Sequence, residues 1–436
     1  MTHPRPATRI PLRLGNASAT FAIAVAGYLG VNLSPYMISA LETSVGVDFI
    51  TAGWIVTGVL LATAVAGLLV APLCAGPRRL LVARAGLALA VLAFGAAALV
   101  PAPAVIIPGL LLGGVGAGGA VAASGAAFAA FTNPDRVAGL NGLVNRGVIT
   151  VVLAVVPVLG LAPVNVFGAL ALFSLIGLVL SVWLPGAPVS GGGVGAAVAE
   201  AVPLEIPATE SLPLIRPAVP AGSRAVTLAG WALLVTFALW AVSEDSLWAM
   251  GGVVGGAVAG VTPEGLGIAL SGATAGGLIG SLLLMIVGDR LGRAVPLVIL
   301  LVLGSGLKIC SSLVSDPTAF IIIFIAWNTV YAVAFMFFVA TAAALDADGR
   351  WSGPLLAVYL VGSSLTPVIG AGLVDALGHQ GFTLLLGVAS LLLAVPAVAV
   401  ARLSTRQAAP AAGPEDAHPA PGADRLTLAH TEPQEA

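Results

Sequence analysis

Residues 264 to 293 read EGLGIALSGATAGGLIGSLLLMIVGDRLGR, and from Gly265 to Val287 there is no charged side chain. A helix needs about 20 predominantly apolar residues to cross a bilayer, so this run is long enough to span one. It ends in a short turn holding Asp289, Arg290 and Arg293, and the chain then turns apolar again. Working outward, the same alternation of long apolar run and short polar turn fills most of the 436 residues. Apolar residues make up 59% and charged residues 8%, against about 45–50% and about 25% in soluble domains. Thirty-six charges, seventeen basic and nineteen acidic, cannot cover a water-exposed surface of this length, so a soluble fold is excluded.

Twelve spans are read, at 17 to 40, 52 to 75, 80 to 100, 104 to 131, 137 to 160, 164 to 184, 226 to 249, 264 to 287, 294 to 314, 318 to 344, 353 to 376 and 381 to 402. The fifth and sixth are separated only by Leu161-Ala162-Pro163. The runs are continuous rather than alternating, which selects helices over barrel strands. The segment 1 to 16, with Arg5, Arg9 and Arg13, imitates the start of a signal peptide, but the run behind it is too long and eleven more follow. The expected fold is therefore an all-α membrane protein of twelve transmembrane helices in two pseudo-symmetric six-helix bundles, 17–184 and 226–402.

Orientation follows from the basic residues, which are retained beside short cytoplasmic loops. With the N-terminus inside, Arg5, Arg9, Arg13, Arg78, Arg79, Arg84, Arg136, Arg216, Arg224, Arg290, Arg293, Arg350, Arg402, Arg406 and Arg425 all lie inside. The other two basic residues, Arg146 and Lys308, fall within spans, and the outer side carries Glu42, Asp48, Glu264, Asp316 and Asp375. Both termini are thus expected in the cytoplasm of a multi-pass cell-membrane protein. Between the bundles, 185–225 holds seven prolines and the run Gly191-Gly192-Gly193, and reads as a flexible cytoplasmic linker. The segment 403–436, rich in Ala, Pro and acidic residues, reads as a disordered cytoplasmic tail.

A faint internal repeat connects the two halves. Span eight runs through Gly267, Gly276, Gly277 and Gly280 into Gly288-Asp289-Arg290-Leu291-Gly292-Arg293, and span two runs through Gly53 and Gly67 into Ala75-Gly76-Pro77-Arg78-Arg79. Each is a glycine-bearing helix followed by a basic turn at the same place in its half. The stretch from Gly280 to Arg293 resembles the loop motif of the major facilitator superfamily. So do Ser243 to Gly267, and Asp348-Gly349-Arg350 followed by Gly362 and Pro367-Val368-Ile369-Gly370. The resemblance covers essentially the whole chain and implies secondary transport by rocking of two bundles around a central site. Three features depart from the family's pattern. The first-half turn has no acidic residue, Pro108-Gly109-Leu110-Leu111 stand where span four often carries an arginine, and Val156 rather than glycine precedes Pro157.

Charge inside a span costs about 2.5–3.5 kcal/mol on insertion scales, so each instance calls for a reason. Arg146 lies near mid-depth of span five with Asn141 and Asn145; it is either an interhelical clamp or a cationic anchor for an anionic group on a solute. Glu244 and Asp245 follow Trp240 in span seven and point about 100° apart on a helix, so one of them is expected inside. A carboxyl group in a low-dielectric interior suits a proton carrier because its ionised form is penalised there. For proton coupling or cation recognition Glu244, being deeper, is placed ahead of Asp245, with ordinary contact with water as the alternative. Lys308 is expected to snorkel outward. Trp327, Asn328 and Tyr331 share a face that either packs or lines a cavity, and Asn32 in the proline-bent outer part of span one is a further cavity candidate. The candidate solute-binding residues are Arg146, Asn145, Asn141, Asn32, Asn328, Tyr331 and Trp240, and the candidate proton-handling residues are Glu244 and Asp245. Gly288, Asp289, Arg290, Gly292 and Arg293 form a candidate conformational switch, in which Asp289 contacts the other bundle in one state only. Glycine pairs four apart, such as Gly114 and Gly118 or Gly276 and Gly280, are expected to let helices pack closely.

No phosphate-binding loop with Gly-Lys-Ser or Gly-Lys-Thr is present, and no His-Glu metal motif occurs, so neither ATP nor a metal cofactor is expected. A net charge of −2 excludes a partner bound through nucleic-acid phosphates. The expected partners are a small-molecule solute, protons and the lipid bilayer, with the chain acting as a monomer and not as an enzyme. The function this supports is proton-coupled secondary transport of a small organic solute, with export of a drug-like or metabolite compound ahead of uptake of an organic acid or sugar. A sensor or membrane-embedded enzyme is the reading outside that class.

Overall fold

The computed structural model describes residues 10–74, 76–128, 130–132, 134–186, 224–287, 293–345 and 352–408. Most of the expected linker, the tail beyond 408, and Gly288, Asp289, Arg290 and Gly292 lie outside them. The described chain is helical: α1 (Leu14–Asn32), α2 (Ser34–Ala40), α3 (Phe49–Cys74), α4 (Arg79–Leu99), α5 (Pro103–Phe128), α6 (Pro134–Leu159), α7 (Pro163–Leu180), α8 (Arg224–Ala259), α9 (Pro263–Val287), α10 (Ala294–Ser311), α11 (Pro317–Leu345) and α12 (Ser352–Ala408). Among the described residues ten helices are long and apolar enough to cross a membrane. Their outward surface is apolar, with Leu69, Leu92, Val158 and Leu392 each about 70% exposed, as lipid rather than water requires. The chain is a multi-pass membrane protein.

The expected runs fall on these helices, with local differences that have physical causes. Run one is divided between α1 and α2, because Pro35 has no amide hydrogen to continue the helical ladder. Runs eleven and twelve share α12, which is broken inside by Gly378 at φ 67°, a conformation glycine adopts without a Cβ penalty. The separation of runs five and six is made by Gly160, at φ 95°, and by Pro163 opening α7. Helix α8 reaches Ala259, well past the expected end at 249, although Gly251, Gly252, Gly255 and Gly256 are poor helix formers. A Cβ at Gly251 would stand 2.8 Å from the Phe324 ring and one at Gly255 2.7 Å from Phe320. Close packing on α11 outweighs propensity there. Helix α12 runs six residues into the segment expected to be tail, with Ser404 buried.

Glycines seat helices within each half: a Cβ at Gly114 would meet the Val59 carbonyl of α3, and one at Gly280 the Val333 side chain of α11. Between the halves, α6 packs on α9 and α3 on α12. Gly267 of α9 lies directly against the Pro157 ring, and a Cβ at Gly53 of α3 would stand 2.9 Å from the Pro367 carbonyl of α12. Thr57 Oγ1 accepts a hydrogen bond from the Val368 amide at 3.0 Å, and the Thr150 and Thr274 hydroxyls meet at 2.8 Å. Pro157 also leaves the Leu153 carbonyl without its helical donor, and the buried Tyr36 hydroxyl of α2 donates to it at 2.6 Å.

These contacts concentrate at one end. A single apolar cluster there joins Leu29, Met37, Val56 and Leu153 of the first half to Leu247, Leu266, Phe320 and Phe382 of the second. It lies beside the helical turn carrying Glu42 and the loops carrying Asp48 and Asp316; Asp48 caps α3 and Asp316 caps α11. Toward the end bearing Arg78, Arg79, Arg84 and Arg293 the halves keep separate clusters. One is built on Ala19, Ala83, Ala126 and Leu184, the other on Leu233, Leu297, Phe338 and Val400. Among the described residues, the apolar cluster that joins the halves lies at the acidic end, and the clusters toward the basic end each belong to one half.

Candidate functional site

A cavity of about 300 Å³ lies between the halves. The first half lines it with Asn32 and Tyr28 of α1 and with Asn141, Asn145 and Arg146 of α6; the second supplies Asp245 and Trp248 of α8, Thr274 of α9, Asn328 and Tyr331 of α11, and Tyr359 and Ser363 of α12. The helical repeat explains the grouping on α6, since Asn141, Asn145 and Arg146 stand at i, i+4 and i+5. Six of the seven candidate solute-binding residues therefore surround one space, although they are drawn from three helices in two halves.

Arg146 and Asp245 are the charged residues among the described lining, and they come from opposite halves. They are not ion-paired to each other. Asp245 is 8% exposed; its Oδ1 accepts a hydrogen bond from the Tyr331 hydroxyl at 2.9 Å, while Oδ2 has no hydrogen-bond partner among the described residues. The Tyr28 hydroxyl and Asn141 Oδ1 are likewise buried without partners. Three of the four such atoms among the described residues thus face this cavity, the fourth being Ser246 Oγ. Buried polar atoms are normally satisfied, so their concentration around one cavity sets it apart from the rest of the described interior.

Three expectations are corrected by placement. Glu244, put ahead of Asp245 on depth, turns away from the cavity into the second half. Its Oε1 lies 2.6 Å from Lys308 Nζ, and its Oε2 accepts from Trp327 Nε1 at 2.6 Å. Lys308, expected to snorkel outward, is fully buried and also donates to Ser243 Oγ at 2.9 Å and Ser390 Oγ at 2.6 Å. The roughly 100° between successive helix positions separates the two carboxylates as expected, but the positions of α10, α11 and α12 decide which one meets the cavity. Trp240, taken as solute-binding, is packed instead among rings, 4.7 Å from Phe338 and 5.3 Å from Tyr331. Trp327 shares the expected face with Tyr331, their rings stacking 6.3 Å apart, but it packs rather than lines the cavity and its polar edge serves Glu244.

Sequence reading missed Tyr28, Trp248, Thr274, Tyr359 and Ser363 as lining. Tyr28 was legible, since it stands one turn before Asn32; in the structure the Asn32 side-chain amide donates to the Tyr28 carbonyl at 3.0 Å. The others carry no local signal. Of the candidate switch residues, Arg293 is described and precedes α10.

Comparisons with solved structures place this architecture. The human organic anion transporter MFSD10 (TETRAN) matches with a TM-score of 0.61 at 16% identity, over 89% of this chain and 100% of that one. A variant of the peptide transporter POT matches at 0.68 and 12%, over 91% and 97%. The D-xylose-proton symporter matches at 0.62 and 14%, over 87% and 95%. At such identities the likeness shows the fold, and it is the major facilitator fold that the loop motif implied. No sequence-family model matches the chain, and no curated protein sequence does.

Proposed function

We propose that this membrane protein, built on the major facilitator fold, is a secondary active transporter that carries a small organic solute across the cell membrane by alternating access. Twelve crossings, both termini in the cytoplasm and a monomer complete the reading. The observation that carries it is one cavity faced by Arg146 from the first half and Asp245 from the second. A site divided between two bodies is remade whenever they rock, which is what alternating access requires. The basic end faces the cytoplasm by the distribution of arginines, so the arrangement described is open inward and closed outward. Arg146 holds an anionic group of the solute through its guanidinium fork. Asp245, rather than Glu244, carries the proton, because it is the carboxylate that both solute and water reach. Apolar and aromatic lining around these polar groups suits an amphipathic organic compound, and export is the direction assigned.

The test is proton movement in liposomes containing the purified protein, read by an internal pH dye while organic acids and drug-like compounds are added. A solute-dependent proton flux is expected. It should disappear for anionic solutes in Arg146→Ala, while Asp245→Asn should leave solute movement that no longer responds to the pH gradient. A folded protein that is silent across the library would refute the reading.

A further inference from the structure

The geometry points to a zwitterion as the solute: a compound whose anionic group docks on Arg146 while its protonated amine docks on Asp245, displacing the proton that Asp245 carries. This rests on the transport reading above and narrows it. The cavity offers one cation and one carboxylate among its described lining, neither with an ionic partner among the described residues, and its other polar lining groups are neutral. A purely anionic solute would satisfy Arg146 and leave Asp245 Oδ2, buried and unbonded, facing it. A purely cationic solute would leave the guanidinium without an acceptor. A zwitterion satisfies both, and the two contacts draw the halves together because Arg146 belongs to α6 and Asp245 to α8.

The surroundings suit such a ligand. Tyr331 orients the Asp245 carboxylate through Oδ1, so Oδ2 is the atom left for an N–H donor. Asn141 Oδ1 and the Tyr28 hydroxyl supply two further unsatisfied atoms on the first-half wall. Trp248 and Phe335 add aromatic surface for an apolar body. Because amine and proton compete for one carboxylate, each zwitterion bound releases one proton, and the exchange couples outward movement of solute to inward movement of protons.

The experiment is calorimetric titration of the full-length purified protein with phenylalanine, tryptophan and alanylphenylalanine. Each is compared with its N-acetyl form, which keeps only the anion, and its C-terminal amide, which keeps only the cation. Titrations in buffers of different ionisation enthalpy count the protons released. Zwitterions should bind at least tenfold more tightly than either blocked form and release one proton. Arg146→Ala should weaken the zwitterions and N-acetyl forms and spare the amides; Asp245→Asn should weaken the zwitterions and amides, spare the N-acetyl forms and abolish proton release. Asp245→Glu should recover part of the preference for an amine, which a folding defect would not do. Equal binding of N-acetyl and zwitterionic forms would overturn the inference and leave transport of organic anions standing. So would silence of the whole panel in a protein through which organic acids still drive proton flux. Silence in both experiments would remove the transport reading as well.

Discussion

Replacing Lys308 by Met strikes the ion pair that lies behind the cavity wall. Lys308 is fully buried and Glu244 is 2% exposed, so neither charge is screened by solvent. In Lys308→Met the Glu244 carboxylate retains the Trp327 indole and loses its only described cationic partner, while Ser243 and Ser390 lose a shared donor. Removing one partner of a buried pair strands the other charge, at a cost of about 3–5 kcal/mol. Glu244→Gln alone should cost a similar amount by stranding the ammonium. The double variant strands no charge and keeps an acceptor for Trp327, so it should fall within about 1–2 kcal/mol of wild type, since replacing a whole buried pair is often close to neutral. The cycle therefore predicts a favourable coupling of roughly 4 kcal/mol or more between the two positions. Apparent unfolding free energy of the purified protein in a denaturing detergent series provides the assay. Single variants that lose less than about 1 kcal/mol, or a double variant as unstable as the sum of the singles, would refute the argument.

Gly53→Val should place a side chain against the Pro367 carbonyl and pry the halves apart at the acidic end. Cysteine-labelling of introduced outer-end sites should become faster in it, and unchanged labelling would count against closure at that end. Tyr36→Phe leaves the Leu153 carbonyl without a donor and should cost about 1–3 kcal/mol; no loss in the same detergent series would mean water takes over the bond. Trp240→Ala should cost about 3–5 kcal/mol from lost packing with little change in solute affinity, and a selective affinity loss at normal stability would return Trp240 to the binding site.

Local signals carried the fold far. Run length, the basic turns and the prolines at 35 and 163 act within a few residues of themselves, so they survive translation into three dimensions. Helix α8 continues through Gly251 to Gly256 beyond the expected end at 249, because aromatic rings of α11 pack against it where propensity alone favours an end. Lys308 misled for a related reason. A lone lysine in an apolar run has snorkelling as its cheapest local solution, and its partner lies 64 positions away on another helix.

The site divides along the same line. The sequence by itself determined that this is a helical membrane protein, that Arg146, Lys308 and the pair Glu244 and Asp245 are the charges demanding a reason, and that Asn141 and Asn145 accompany Arg146. Composition, span length and helical spacing contain that information. Only the tertiary structure decided that Asp245 meets the cavity while Glu244 meets Lys308, and that Trp240 is core rather than wall. It also brought Arg146 and Asp245 to one space from different halves. About 100° of helical rotation separates neighbouring side chains, but what each then faces depends on helices 64 to 86 positions away, and packing settles it.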